Sequence, residues 1–170
     1  MTTVTLKGNP VQLAGSLPTV GQKAPDFELT SQKLDSHTLA SFAGKTKVVT
    51  INPSIDTGVC ATTLRTFNKR AAEHPGVVIL AVSADSPFAL RRFCGAEGIE
   101  AAVALSTLRD PGFAERWGVR IADGNMRNLC ARAVVVLDRA DTVVYTELVA
   151  EISTEPNYDA ALAAVAKVAG

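Results

Sequence analysis

The sequence contains no CxxC pair and only three cysteines, Cys60, Cys94 and Cys130, among its 170 residues. They lie far apart, and with His37 and His74 as the only histidines they form no zinc-ligand pattern. No run approaches the roughly eighteen apolar residues of a membrane helix. Met1 to Pro10 lacks the basic-then-apolar order of a signal peptide. Net charge is also absent: 17 Lys and Arg balance 17 Asp and Glu, so no overall field draws in nucleic acid or anionic lipid. Neither GxGxxG nor GxxxxGK with a following Ser or Thr occurs after an apolar run, which removes the dinucleotide and P-loop readings. The expectation is a water-soluble protein of the cytoplasm. There structural disulfides are not usually kept, so the three cysteines are either buried thiols or chemistry.

What is present reads as one globular domain, 1–170, with 47% apolar and 20% charged residues, and no repeat or linker. Thr3 to Leu6 and Val11 to Leu13 alternate around Gly8-Asn9-Pro10, the pattern of a hairpin. A short strand is expected at Phe27 to Leu29. Lys47 to Ile51 and Val77 to Val82 are near-continuous apolar runs, as in strands covered on both faces. Between them Cys60, Leu64, Phe67 and Ala71 fall on one helical stripe that ends near His74, before Pro75-Gly76.

Ser86-Pro87 reads as the cap and first residue of a helix that carries Cys94 and stops near Gly95. A strand at Val103 to Leu105 and a short helix from about Pro111 to Trp117 follow. Ala133 to Leu137 and Thr142 to Leu148 form a hairpin. A last helix from about Glu155-Pro156 buries Tyr158, Leu162, Val165 and Ala166. A strand–helix–strand unit therefore precedes a strand–strand–helix unit, with a hairpin in front and an insertion between. This α/β order is the plan of the thioredoxin fold.

In that plan the first central strand bends directly into a helix, and the bend reads Pro53-Ser54-Ile55-Asp56-Thr57-Gly58-Val59-Cys60. With Thr57 as N-cap, Cys60 sits in the first turn among free backbone N–H groups, where an anion is favoured. Moving a thiol's titration from about 8.5 to near 6 takes roughly 3.5 kcal/mol, whereas a helix terminus supplies at most ~2 kcal/mol. A cation close to Cys60 is therefore required. Because nucleophilicity falls as pKa falls, a fast thiolate also needs donors aimed at the charge developing on its target, which for a peroxide means both oxygens. The Thr57 hydroxyl, the Cys60 N–H and one guanidinium would serve, with Pro53 shielding the sulfur from water.

The segment from Pro53 to Cys60 has the PxxxTxxC pattern of peroxiredoxins. Ser83-Ala84-Asp85-Ser86-Pro87-Phe88-Ala89 with Arg92-Phe93-Cys94-Gly95-Ala96-Glu97-Gly98 resembles the resolving-cysteine segment of bacterial thiol peroxidases, the atypical two-cysteine peroxiredoxins. Ile121-Ala122-Asp123-Gly124, Ala131-Arg132-Ala133-Val134-Val135-Val136 and Gly8-Asn9-Pro10 are similar to that family as well. The resemblance implies a peroxiredoxin-type thioredoxin fold in which Cys60 is peroxidatic, Cys94 resolving, and Arg132 the required cation. It further implies a Cys60–Cys94 redox disulfide regenerated by a thioredoxin-type reductant, no cofactor or metal, a hydroperoxide substrate and a homodimer.

Each residue keeps a plainer alternative. Thr57 could be a cap alone, Cys94 a packed helix residue beside Phe88 and Phe93, and Arg132 a surface charge at a strand end. His37 and His74 read as surface or helix-end residues. A dithiol reductase is disfavoured by Ala61-Thr62-Thr63 after Cys60, and a non-enzymatic redox sensor predicts oxidation without turnover. The chain departs from the family in three places. Asn52 stands where relatives usually have phenylalanine, which questions the packing behind the site. Trp117 replaces a usual tyrosine and is expected to fill core or interface space. Cys130 is an extra thiol, on the same side of an extended segment as Arg132 and best read as inert and buried.

Overall fold

A computed structural model describes residues 1–71 and 73–169. β1 (Thr2–Leu6) and β2 (Asn9–Ala14) form the expected hairpin, turning through Lys7 and Gly8 at φ 51° and 79°. Such left-handed two-residue turns match the twist of the flanking strands. Then follow β3 (Leu29–Ser31), β4 (Ser36–His37), β5 (Thr46–Ile51), α1 (Gly58–Ala71) and β6 (Val77–Ser83). After these come α2 (Pro87–Glu97), β7 (Ala102–Ser106), α3 (Phe113–Arg116) and β8 (Arg120–Ile121). The chain closes with β9 (Ala133–Leu137), β10 (Val143–Leu148) and α4 (Tyr158–Val168).

The main sheet runs β10-β9-β5-β6-β7-β3-β4, while β1, β2 and β8 make a smaller one. β5, β6 and β7 are parallel, β9 is antiparallel to β5, and β10 is antiparallel to β9. This is the thioredoxin plan with a hairpin in front. The continuous apolar runs have a simple cause, because successive side chains feed opposite faces of a sheet covered on both sides. Val49, Ile51, Leu80, Val82, Val135 and Leu137 pack one face with Phe27, Phe113 and Trp117. Val48, Ile79, Ala81, Val134 and Val136 pack the other against Leu64 and Phe67 of α1, Leu90 and Phe93 of α2, and Leu162's neighbours Ala161 and Val165 of α4.

Several boundaries differ from expectation. The strand predicted at Phe27 to Leu29 runs over Leu29–Ser31, and Phe27 instead packs its ring against Phe113 and Trp117. α2 continues through Gly95 to Glu97, because it is Gly98, at φ 63°, that takes the left-handed cap and bonds back to the Cys94 carbonyl. α4 starts at Tyr158, because Asn157 is the cap and accepts from the Ala160 N–H at 3.0 Å; Ala166 faces solvent. α1 ends at Ala71; Ala72, within the helix end predicted near His74, lies outside the described residues, as does the Ala71 side chain.

Candidate active site

In the β5–β9 ladder Ile51 lies opposite Ala133. One residue further, Asn52 leaves β5 where Arg132 enters β9, so the register itself brings these side chains together. Arg132 is 2% exposed. Its Nη1 donates to Asn52 Oδ1 at 2.9 Å, its Nε to the Ile152 carbonyl at 2.9 Å, and its Nη2 to the Cys60 sulfur at 3.3 Å. A guanidinium is tolerated inside only when its donors are matched in this way. Arg132 is thus no surface charge: it is the cation beside Cys60.

Cys60 is the third residue of α1 and 1% exposed. Thr57 caps the helix, its Oγ1 accepting from the Cys60 N–H at 3.3 Å and its carbonyl from the Ala61 N–H at 3.0 Å. The Thr57 hydroxyl donates to the Ser54 carbonyl at 3.3 Å. Two of the three donors expected to face a peroxide, that hydroxyl and the Cys60 N–H, are therefore engaged within the loop. Their bonds lie at the long, weak end of the range and exchange partners at little cost. Pro53, Thr57, Val59, Met126, Arg132 and Ile152 line a cavity of about 380 Å³, to which Arg132 and the Thr57 cap connect the buried Cys60.

Two polar residues support this loop without having been given roles by the sequence. Asp85 accepts from Ser54 Oγ at 2.7 Å, the Ile55 N–H at 2.9 Å and Ser83 Oγ at 2.6 Å, fixing the Cys60 loop to the end of β6. Its signal was Ser-x-Asp where an apolar strand stops, a place where turn-forming side chains bind backbone. Asn52, feared as a packing defect, is 3% exposed and fully used, donating to the Thr50 carbonyl and hydroxyl at 3.3 and 3.4 Å while accepting from Arg132.

Cys94 is not brought to Cys60. It is a free thiol buried on α2 among Leu90, Phe93 and Ile99, and it borders a different depression, of about 360 Å³, with Gln32 and Arg91. Burial pushes its pKa up. Cys130 is packed with Trp117 and Val119; burial, with a contribution from Asp85, pushes it up to about 12, which disfavours its thiolate. Trp117 stacks on Phe113 at 5.3 Å in the core. His37 stacks on Phe42 at 5.4 Å, and His74 follows α1; neither hydrogen-bonds a cysteine. Among the described residues no His, Cys, Asp and Glu are grouped to hold a metal ion, and no helix is long and apolar enough to cross a membrane.

Residues 19–162 match the Redoxin family. The chain is 52% identical over 166 residues to a thiol peroxidase of Leptospira interrogans, covering 96% of this chain and 97% of that one. A peroxiredoxin-like protein from Aquifex aeolicus superposes with a TM-score of 0.93 at 37% identity, over 99% of this chain and 98% of that one. A thiol peroxidase from Chromobacterium violaceum shares the fold, with a TM-score of 0.90 at 24% identity over 97% and 95% of the two chains. Matches of this extent and identity, on a chain with a cysteine at a helix start beside a buried arginine, mean that it belongs to the Redoxin family, among its peroxiredoxin-type thiol peroxidases.

Proposed function

We propose that this protein reduces hydrogen peroxide and organic hydroperoxides in the cytoplasm, with Cys60 as the peroxidatic and Cys94 as the resolving residue. The observation that carries the reading is the Arg132 bond to the Cys60 sulfur at 3.3 Å in the first turn of α1. A guanidinium and a helix N-terminus both stabilise an anion placed between them. Family membership supports the same assignment.

Cys60 thiolate attacks the nearer oxygen of the hydroperoxide. The S–O bond forms as the O–O bond breaks, and the leaving oxygen takes a proton to depart as water or alcohol. Cys60 is left as sulfenic acid, oxidised by two electrons. Negative charge grows on both oxygens as the bond lengthens, and Arg132, the Thr57 hydroxyl and the Cys60 N–H are the donors at hand to stabilise it. The apolar side chains of Val59, Met126 and Ile152 give an organic tail room in the cavity. Cys94 then attacks the sulfenic sulfur, water leaves, and a Cys60–Cys94 disulfide results. A thioredoxin-type dithiol reduces it by exchange, restoring both thiols. No bound cofactor enters the cycle, and the homodimer typical of the family is the expected assembly.

A peroxidase assay coupled to a thioredoxin system tests the assignment. Cys60→Ser abolishes turnover, whereas Cys94→Ser undergoes one fast oxidation and then stalls as sulfenic or sulfinic acid. Equal initial oxidation rates in Cys60→Ser and wild type would reverse the roles.

A further inference from the structure

We infer that Asn52 is a positioning residue for catalysis: through Arg132 it sets where the guanidinium meets the Cys60 sulfur and the peroxide. This rests on the peroxidatic assignment of Cys60. Three observations meet at Asn52. The β5–β9 register ends with Ile51 opposite Ala133, so Asn52 and Arg132 are neighbours by construction of the sheet. The Asn52 amide is buried, and its two ends are not interchangeable. Arginine has donors only, so it is the amide oxygen that must face Nη1, which turns the NH₂ toward Thr50. The Asn52 backbone is itself fixed, its N–H donating to the Val82 carbonyl at 2.9 Å.

The result is a relay from Thr50 through Asn52 and Arg132 to Cys60, in which each member orients the next. The Ile152 carbonyl holds Nε, so the guanidinium plane is defined by two acceptors while Nη2 is left for the sulfur. Remove the Asn52 acceptor and one of those two restraints is lost. The group can then rotate about Nε to satisfy Nη1 elsewhere, and Nη2 moves with it. A shift of about an ångström in a catalytic group is enough to cost up to a hundredfold in rate. Among the described residues Arg132 is the one charged side chain hydrogen-bonded to Asn52 or to the Cys60 sulfur.

The test measures the second-order rate of Cys60 oxidation by hydrogen peroxide against pH for wild type, Asn52→Leu and Asn52→Asp, alongside thermal unfolding. Asn52→Leu keeps the branched shape and loses the acceptor, and its high-pH plateau falls about tenfold. Asn52→Asp keeps the acceptor and adds a negative charge near the sulfur. Its plateau stays within about threefold of wild type, while its rate–pH curve moves to higher pH. A purely packing role would lower the melting temperature of both variants and leave plateau and curve in place, which overturns the inference. If Asn52→Leu does not fold, an Asn52→Asp curve superimposable on that of wild type overturns it equally. A wild-type protein whose Cys60 does not react fails at the level of the peroxidase reading and takes the inference with it.

Discussion

Each donor group of the Arg132 guanidinium that is hydrogen-bonded has a different partner: a backbone carbonyl, an amide oxygen and the Cys60 sulfur. Replacing it by methionine therefore removes a charge and a set of donors together. A bond from a charged donor contributes roughly 1.5–3 kcal/mol, and losing it disfavours the anionic form of its partner. Arg132→Met should consequently be oxidised more slowly than wild type near neutral pH. If the donors also act on the breaking O–O bond, the plateau at high pH should remain about a hundredfold below wild type, the cost of removing one such donor elsewhere. Stopped-flow oxidation over a pH series separates the two effects. Full recovery at high pH would confine Arg132 to ionising the thiol and remove its part in the transition state.

The long central elements were legible in the sequence because their local pattern and their tertiary setting agree. β5, β6 and β9 are apolar on both faces, and Cys60, Leu64 and Phe67 of the α1 stripe are buried as their spacing implies. The two-residue β4 and β8 were missed because partners elsewhere define them, not local propensity, whereas the four-residue α3 lies within the short helix expected from about Pro111 to Trp117. Asn52 and Asp85 were unassigned for the same reason: strand register and turn geometry give them their roles, and neither is visible in composition.

The helix starts are another matter. Cys60 and Cys94 lie on separate helices, and a disulfide needs Cα atoms within about 7 Å. The first turns of α1 are weak helix formers, with Gly58, Val59, Thr62 and Thr63, and Thr62, Thr63 and Thr66 bond back to carbonyls four residues earlier. α2 is tied to its surroundings on the surface by Arg92–Asp56 and Arg65–Glu97, each 2.8 Å and solvent-exposed. Such pairs contribute about 0–1 kcal/mol. In the proposed cycle, a Cys60–Cys94 disulfide would stabilise the oxidised form by about 3.5–4 kcal/mol in the chain-entropy treatment, comparable to unwinding a turn or two. Backbone hydrogen exchange should be faster in residues 58–64 or 88–96 than in β5 and β6, and helix should be lost there on oxidation. Superimposable backbones in the two redox states would refute the required movement.

Across the molecule the N-terminal hairpin is joined to the active site by Glu151. Its carboxylate accepts from Ser153 Oγ and N–H, from the Lys7 and Gly8 N–H groups, and from Thr5 Oγ1. The next residue, Ile152, offers its carbonyl to Arg132. The Ser153 hydroxyl first, then the Gly8, Ser153 and Lys7 N–H groups, hold Glu151 far below the usual carboxylate range. A depressed carboxylate gives stability that is complete above its unfolded value, near 4.3, and is lost as pH falls through the folded one. Glu151→Gln should thus melt below wild type near neutrality, and the gap should close as pH falls from about 5 toward about 2. A gap independent of pH would mean the charge plays no part in the brace. The account as a whole turns on which cysteines join after Cys60 is oxidised. Peptide mapping by mass spectrometry, without reduction, after one equivalent of hydrogen peroxide reads this directly. The predicted product is a single major linkage, Cys60 to Cys94 within one chain. A dominant pair involving Cys130, or sulfinic acid at Cys60 with Cys94 still a free thiol, would contradict the two-cysteine cycle.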